Sequence, residues 1–248
     1  MLKLMKILHK AFDVLVIVAF LVMMAIGAYF TYDSAYVYYH ASADRVAMYR
    51  PGSKEAEEVR AAAADSEAVV YREFTSDYVA WITMDNTGID YPIMQGDDNM
   101  KYLNLNPYGD YSLSGSIFLD SRNAGDFSDP YSVIYGHHMA GGYMFGALDK
   151  YLSAGYIGAH TDGTLYVGDE EYALKVFAVL QPDARESVIF DPMSGLDPVS
   201  YARNHSLWFV EPRDGRILAL TTCQSGTGTG RTAVLVTVTA KDNAPNSY

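Results

Sequence analysis

An uncharged run of nineteen residues near the N-terminus constrains the fold of this chain more than any other feature. The run extends from Val14 to Tyr32 and contains no Asp, Glu, Lys or Arg. At the rise of an α-helix it is about 28 Å long, close to the thickness of a bilayer's hydrocarbon core. A buried helix of a water-soluble domain keeps a polar stripe, so that alternative is weaker. The segment predicts a transmembrane anchor over residues 11–32.

Basic residues precede this anchor and predict its orientation. Three lysines lie within the first ten residues, and the first acidic residue is Asp13. Positive charge beside a first span stays in the cytoplasm, so residues 1–10 are expected to form a cytoplasmic tail of a single-pass protein of the cell membrane. The rest of the chain would then be extracytoplasmic. A cleaved signal peptide is the alternative, but its apolar core is about 7–15 residues long, with a small-x-small site close behind. Here that pattern, at residues 41–43, lies well beyond the run.

The charge and cysteine content exclude several classes of protein. The 248 residues carry 30 acidic and 18 basic side chains, a formal net charge of −12. Nucleic acid is therefore not an expected partner, because proteins neutralise its phosphates with Lys and Arg. The single cysteine excludes an intramolecular disulfide framework and a cysteine-based zinc cluster. A hydrophobic content of 50%, with 13% aromatic residues, is typical of a folded domain rather than a disordered chain.

Two regions follow the anchor. Residues 33–76 are rich in helix formers and predict a helical stalk followed by N-terminal helices. Over residues 77–248, about eight short runs of β-branched and aromatic residues alternate with Gly, Asn, Asp and Pro. This pattern predicts a β-domain, either an antiparallel barrel or a sandwich. A long interruption, Gln181–Arg216, separates two of the later runs, and connections of that length usually carry a helix or a function.

The only cysteine, Cys223, ends one apolar run, and Arg231 begins the next. If the two runs form a hairpin, the seven residues between them make its loop and Cys223 lies opposite Arg231. A guanidinium beside a thiol favours the thiolate and can also hold a developing oxyanion. A buried structural cysteine is the alternative at this point.

A thiolate that acts as a nucleophile needs a proton carrier, which in proteins is usually a histidine. His137 and His138 follow an apolar run and a glycine, a place where a side chain is presented at the rim of a barrel. Alternation along an extended chain directs the two rings to opposite faces. Because no second cluster supplies further ligands, neither a metal nor another cofactor is expected.

These residues resemble the motifs of the sortase family. The strand end Leu220–Cys223, an arginine eight residues later and the upstream Tyr135–His137 agree with the family in type and in order. Ala219 stands where the family's signature usually has its first threonine, a position without a chemical role. The resemblance covers about residues 30–241. Further segments are similar to the class B branch in particular: residues 77–82, 89–93, 98–103 and 115–120.

The resemblance implies a fold and an activity. The fold would be mainly β, an eight-stranded barrel with N-terminal helices and a helix-containing loop between strands 6 and 7, here Gln181–Arg216. The activity would be that of a cysteine transpeptidase, which cleaves a C-terminal sorting signal of secreted proteins and transfers the acyl group to an amine of a peptidoglycan precursor. These substrates and the membrane are the implied partners, and no cofactor is implied. The predicted anchor agrees with the family, whose members act on the outer face of Gram-positive cells.

The family's chemical roles fall on residues that the sequence already singles out. The resemblance implies that Cys223 attacks the peptide carbonyl and that His137 protonates the departing amine and deprotonates the incoming one. It implies that Arg231 binds the substrate backbone or the oxyanion. Supporting roles, in holding substrate or oxyanion, in orientation or in packing, are implied for four neighbours: Gln224, Thr222, Tyr135 and His138.

The sequence leaves three other functions open. The same residues would serve a thiol peptidase that passes the acyl group to water. A sortase that polymerises pilins would use an amine of another protein as the acceptor. A non-catalytic β-domain that binds the cell wall would not need the thiol, the imidazole or the guanidinium.

Overall fold

The computed structural model describes most of the chain. The described residues are 2–41, 46, 49–54, 57–58, 61, 72–183, 187–223 and 230–241. The backbone alone is described for Leu2, Leu4, His40, Ser187 and Cys223. The chain divides into two compact units, with the boundary between His40 and Ala41. Gln224 and most of the predicted stalk and N-terminal helices lie outside the described residues.

The described residues of the first unit lie in one long helix, α1, which begins at Leu2 and ends at Ala41. Within it, Met5–Tyr39 is long and apolar enough to cross a membrane, by length and composition. The helix begins before the predicted anchor and ends after it, because nothing in its sequence interrupts it. It contains one glycine, Gly27, and no proline.

The described part of the second unit contains nine β-strands. Eight of them overlap with the eight runs that the sequence predicts, and the two-residue strand β7 is too short to be recognised from its pattern. Their bounds are β1 Tyr78–Met84, β2 Asp90–Met94, β3 Ile117–Leu119, β4 Tyr131–Gly136, β5 Asp162–Val167, β6 Glu170–Leu180, β7 Trp208–Phe209, β8 Arg216–Cys223 and β9 Arg231–Ala240.

Eight of the strands close into a barrel, which confirms the expected fold. Around the ring the order is β5-β1-β2-β3-β4-β8-β9-β6, and β6 pairs again with β5. The long strand β6 also pairs with β7, through Ala178 and Val179. β7 therefore extends the sheet beside β6 without belonging to the ring.

The barrel is mixed rather than antiparallel, which corrects one expectation. The pairs β2–β3 and β4–β8 are parallel. A parallel pair needs a connection that returns the chain to the starting end of the sheet, and residues 95–116 and 137–215 supply these connections. Turn residues mark where a strand ends but do not reveal the direction of its neighbour, so the sequence pattern could not show the mixture.

Short helices connect the strands in several places. Ahead of β5 there are three 3₁₀ helices in the described part of the chain, at Lys101–Leu103, Ala140–Gly142 and Phe145–Leu152. The α-helix α2 covers Ala154–Ile157 and leads into β5.

The connection between β6 and β8 carries a helix, as predicted. Residues 181–215 include a 3₁₀ turn at Ser187–Phe190, β7, and the helix α3 at Pro198–His205. Helix α3 begins with Pro198 because the side chain of Asp197 accepts a hydrogen bond from the backbone N–H of Val199.

The wall of the barrel at β4, β8 and β9 is buried on both faces. Ile134 and Leu220 belong to the core that fills the interior. Val133 and Ala219, one residue away on the same strands, instead pack with Ile189 of the connection between β6 and β8. Strands that are buried on both faces read as continuous apolar runs, which explains the sequence pattern here. The connection therefore covers the wall beside the strand ends that carry the candidate site.

Candidate active site

Three strand ends bring the predicted catalytic residues to one end of the barrel. Gly136 at the end of β4 pairs with Thr222 of β8, and His137 is the next residue along the chain. Cys223 at the end of β8 pairs with Arg231 at the start of β9. The hairpin register that the sequence predicts for Cys223 and Arg231 is therefore confirmed at the backbone.

A cavity of about 460 Å³ opens at this end of the barrel. Tyr135, His137, Thr222 and Arg231 contribute to its lining, so four of the predicted site residues meet there. Of the other three, His138 does not line the cavity, and Gln224 and the side chain of Cys223 lie outside what the structure describes.

A glycine at the end of β4 allows the strand to pack closely before His137. A Cβ atom on Gly136 would lie 2.4 Å from Cδ1 of Ile117 and 2.8 Å from the ring of Phe145. These distances are shorter than any van der Waals contact, so a larger residue would push β4 away from its neighbours. Glycine at this position therefore keeps His137 close to the cavity wall.

The imidazole of His137 is held by a backbone carbonyl. Nε2 lies 2.7 Å from the carbonyl oxygen of Leu103. Because a carbonyl only accepts hydrogen bonds, Nε2 is the nitrogen that carries the proton in this arrangement. Nδ1 makes no hydrogen bond within the described part of the chain. The carbonyl of His137 accepts a hydrogen bond from the backbone N–H of Phe145, at 3.1 Å, which fixes the start of the following turn.

Arg231 is anchored by its backbone, and its guanidinium faces an aromatic ring. Its N–H donates to the carbonyl of Pro182 at 2.9 Å. The guanidinium carbon lies 5.2 Å from the centre of the Phe190 ring, within the range of a cation–π contact. Nε of Arg231 is buried and has no hydrogen-bond partner among the described residues. A buried donor without a partner is costly in free energy, so this N–H is suited to an acceptor on a bound ligand.

His138 lies apart from the cavity, as alternation along the strand predicts. Its Nε2 lies 2.8 Å from Oδ2 of Asp149, whose Oδ1 accepts a hydrogen bond from the buried hydroxyl of Thr232. His138 thus joins the turn after β4 to β9, next to Arg231. Across the described ranges, no group of three His, Cys, Asp or Glu residues could hold a metal ion.

An ion pair between a buried carboxylate and a partly exposed arginine beside the cavity was not singled out from the sequence. Asp120 follows β3 and is fully buried, and Arg122 donates to both of its oxygens, from Nε at 2.9 Å and from Nη2 at 2.8 Å. Burial raises the pKa of Asp120, but the hydrogen bonds from Arg122, Tyr135 and Asn99 outweigh it and hold that pKa below its usual value. The same pairing raises the pKa of Arg122. In the sequence, the sign of this ion pair is a charged residue, Asp120, directly after an apolar run. Such residues are also common at ordinary turns.

Tyr135 does more than fill the barrel wall. Its hydroxyl lies 3.0 Å from Oδ2 of Asp120 and 2.9 Å from the carbonyl oxygen of Phe190, so its one proton has two acceptors. Burial raises the pKa of Tyr135, so the hydroxyl keeps this proton at neutral pH. Tyr135 therefore ties β4 to the connection between β6 and β8.

Comparison with known proteins agrees with this arrangement of strands and residues. A sortase domain is matched over residues 82–241, more than half of the chain. The chain therefore belongs to the sortase family.

Individual relatives identify the branch of the family. Sortase B of Listeria monocytogenes is 40% identical over 110 residues, which are 44% of this chain and 45% of that protein. Sortase B of Staphylococcus aureus is 31% identical over 117 residues, 47% of this chain and 48% of that protein. The structure of a Streptococcus pyogenes class B sortase involved in pilus biogenesis is similar, with a TM-score of 0.62 and 36% identity over 66% of this chain and 94% of that one. The chain is a class B sortase, and it spans about half the length of the curated relatives that it matches.

Proposed function

We propose that this chain is a membrane-anchored cysteine transpeptidase. It cleaves a C-terminal sorting signal of secreted proteins and transfers the acyl group to an amine of a peptidoglycan precursor. The observation that carries the proposal is the backbone pairing of Cys223 with Arg231 at the cavity that His137 also lines.

In the first half of the reaction, the thiolate of Cys223 attacks the carbonyl carbon of the scissile peptide bond. A carbon–sulfur bond forms, and the carbonyl oxygen becomes an oxyanion. When the tetrahedral intermediate collapses, the carbon–nitrogen bond breaks and the departing amine takes a proton from His137. The product of this half is a thioester between Cys223 and the N-terminal part of the substrate.

In the second half, an acceptor amine attacks the thioester. His137 takes a proton from the amine, a new carbon–nitrogen bond forms and the carbon–sulfur bond breaks, which regenerates the thiolate. The hydrogen bond from Nε2 of His137 to the carbonyl of Leu103 favours a ring in which Nδ1 gives and accepts this proton. Nε2–H can donate to this carbonyl whether or not Nδ1 carries a proton.

Arg231 is suited to bind the oxyanion or a carbonyl of the substrate backbone. Its buried Nε–H has no hydrogen-bond partner among the described residues, and a ligand oxygen would satisfy it. The backbone N–H of Gln224, directly after the nucleophile, is the second donor that we propose. Thr222 is fully buried, so we assign it to supporting the cavity floor rather than to binding substrate.

We assign the reaction to the outer face of the cell membrane. Helix α1 is long and apolar enough to serve as the anchor. The lysines at its start favour a cytoplasmic N-terminus. The domain boundaries of this proposal are a tail at 1–10, an anchor at 11–32, a stalk with N-terminal helices at 33–76 and a catalytic barrel at 77–248.

The test is an acyl-transfer assay with the full chain in detergent. A small library of sorting peptides is incubated with and without an amine acceptor, and the products are identified by mass spectrometry. We expect a ligated product when the amine is present, and none with Cys223→Ala. Free acid alone at saturating amine would identify a thiol peptidase instead, and turnover by Cys223→Ala would remove the nucleophile from the proposal.

A pilin-polymerising role is the second candidate, and a specific observation favours it. Two solved relatives are linked to pili: a Streptococcus pyogenes class B sortase involved in pilus biogenesis, at 36% identity, and sortase B from the type II pilus of Streptococcus pneumoniae, at 29%. The two roles differ in the acceptor, which would be a lysine side chain of a protein rather than a cell-wall peptide. A competition between the two amines in the same assay separates them by the mass of the ligated product.

A further inference from the structure

A short segment of the β6–β8 connection is fastened to the barrel next to Arg231. The carbonyl of Ile189 accepts a hydrogen bond from the hydroxyl of Tyr131, at 2.6 Å. Tyr135 lies 2.9 Å from the carbonyl of Phe190, and Nη1 of Arg122 lies 2.7 Å from Oδ1 of Asp191. Three consecutive residues are thus held by side chains from β4 and from the turn after β3.

Arg122 is the charged member of this fastening, and its donors are already engaged. Nε and Nη2 bind the buried carboxylate of Asp120, while Nη1 binds Asp191. A guanidinium fixed in this way by two carboxylates has one orientation, because its planar fork is matched on both sides. Arg122 therefore serves to hold Asp191 in place, although it lies at the edge of the cavity.

Phe190, in the middle of the fastened segment, is the residue that meets Arg231. Its ring centre lies 5.2 Å from the guanidinium carbon. No carboxylate in the described part of the chain forms an ion pair with Arg231, and its Nε has no partner there. The guanidinium of Arg231 therefore rests against the Phe190 ring.

We propose that Arg122 is a positioning residue for Arg231, because it locks Phe190 against the guanidinium through Asp191. The inference rests on the proposed function only in that Arg231 is taken to act on the substrate. When Arg122 no longer holds Asp191, the Phe190 ring is less firmly fixed against the guanidinium, Arg231 samples several rotamers and its Nε–H no longer points to one place. Acyl transfer then slows, because a donor that must be oriented during the reaction stabilises the oxyanion less well.

The first arm of the test is a set of variants in the acyl-transfer assay with the full chain. Arg122→Met removes the charged contact to Asp191 and leaves the hydrogen bonds from Tyr131 and Tyr135, whereas Phe190→Leu removes the ring and leaves the Asp120–Arg122 pair intact. We expect each to lower kcat/KM at least tenfold in the parent enzyme, and the double variant to be no worse than about twofold below the lower single. In an Arg231→Lys background, either substitution should change kcat/KM by less than about twofold, since the flat guanidinium that rests on the ring is gone.

A matched arginine in the same connection provides the control. Arg203 of α3 pairs with Glu211 at 2.6 Å, and its guanidinium carbon lies 5.5 Å from the ring of Phe209. Arg203→Met therefore removes an ion pair and a cation–π contact of the same kind away from the cavity. We expect it to leave kcat/KM within twofold of the parent. Thermal melting of each variant shows that the barrel remains folded.

The second arm observes Arg231 directly and does not depend on turnover. In the ¹H–¹⁵N spectrum of arginine Nε groups, the signal of Arg231 is assigned by its loss in Arg231→Lys. We expect this signal to shift in both Arg122→Met and Phe190→Leu, because a ring current is removed, and to stay in place in Arg203→Met. An unchanged signal in Arg122→Met, or an equal loss of kcat/KM in the Arg231→Lys background, would overturn the inference. Absence of turnover in the parent together with a shifted signal would count against the proposed function alone.

Discussion

Neighbouring residues on β4 and in the turn after it have opposite tasks because successive side chains of an extended chain alternate. Tyr135 and His137 bring their side chains to the cavity, whereas Gly136 packs closely against Ile117 and Phe145, and His138 binds Asp149. The sequence predicted the divergence of the two histidines from this alternation alone. It could not predict the carbonyl that holds His137, since Leu103 is distant in the chain and contributes through its backbone.

The tight contact at Gly136 can be tested by adding one methyl group. Gly136→Ala is expected to destabilise the protein by about 1–3 kcal/mol, the usual effect of overpacking a buried site. The measurement is the midpoint of chemical unfolding. Gly158→Ala is the matched control, because nothing lies within 4 Å of a Cβ at that position and its φ of −54° suits alanine. An equal effect of both substitutions would show that β4 has room to move.

The two histidines should respond differently to the same substitution. His137→Ala is expected to lower kcat for acyl transfer by at least about a hundredfold, because the proton carrier is lost. His138→Ala should lower it by less than about tenfold, since only the link to Asp149 and β9 is removed. Steady-state kinetics with a sorting peptide measures both. A reversed ranking would move the proton carrier to His138.

At the scale of elements, the strands follow from local sequence, but their arrangement does not. Runs of β-branched and aromatic residues predicted the eight barrel strands, and the seven-residue gap predicted the register of β8 and β9. The parallel pairs β2–β3 and β4–β8 depend on connections between distant strands, which no local pattern encodes. The link from Asp120 and Arg122 to Asp191 was missed for the same reason, since it joins residues 69 positions apart.

The buried Asp120 binds Arg122, which in turn holds Asp191 of the β6–β8 connection. The attachment of this connection to the barrel therefore depends on pH. The pKa of Asp120 is lowered in the folded state, so between the ordinary aspartate pKa of about 3.9 and the folded value the unfolded chain binds more protons. The stabilisation that Asp120 provides is therefore complete above that window and is lost as the pH falls through the folded pKa. In Asp120→Asn this contribution is absent at every pH.

We expect Asp120→Asn to be less stable than the parent by about 1–3 kcal/mol at pH 7, typical of a lost charged hydrogen-bond partner. The difference should shrink as the pH is lowered from 5 to 3. Urea unfolding of both proteins across this range measures it, and the other carboxylates cancel because both chains share them. A difference that stays constant with pH would contradict the assignment of a lowered pKa.

At the scale of the whole molecule, the chain combines an apolar helix with a folded barrel of a different composition. Residues 11–248 carry 15 basic and 30 acidic side chains, because three of the 18 basic residues precede them, so their formal charge is −15. Such a charge keeps a domain soluble and does not repel a cationic amine acceptor. The sequence alone predicted this division, since charge and hydropathy along the chain need no knowledge of tertiary contacts.

The anchor can be tested independently of any enzymatic activity. The full chain is expected to stay with membranes after an alkaline carbonate wash, because a helix with about twenty apolar residues inserts stably in a bilayer. A matched chain with Val18→Arg and Ile17→Arg should be extracted to a much larger extent, since charges at the centre of a span are costly. Extraction of the unaltered chain would indicate that α1 does not anchor it.

The order of the strands has a consequence for the folding of the enzyme during synthesis. β4, which leads to His137, pairs directly with β8, although about eighty residues separate them along the chain. Contacts between such distant segments form late, because a large loop must close first. A nascent chain that has emerged only as far as β6 therefore holds the imidazole without the thiol or the guanidinium. The strand ends that carry the proposed nucleophile and oxyanion donor are therefore the last parts of the site to be synthesised and to pair.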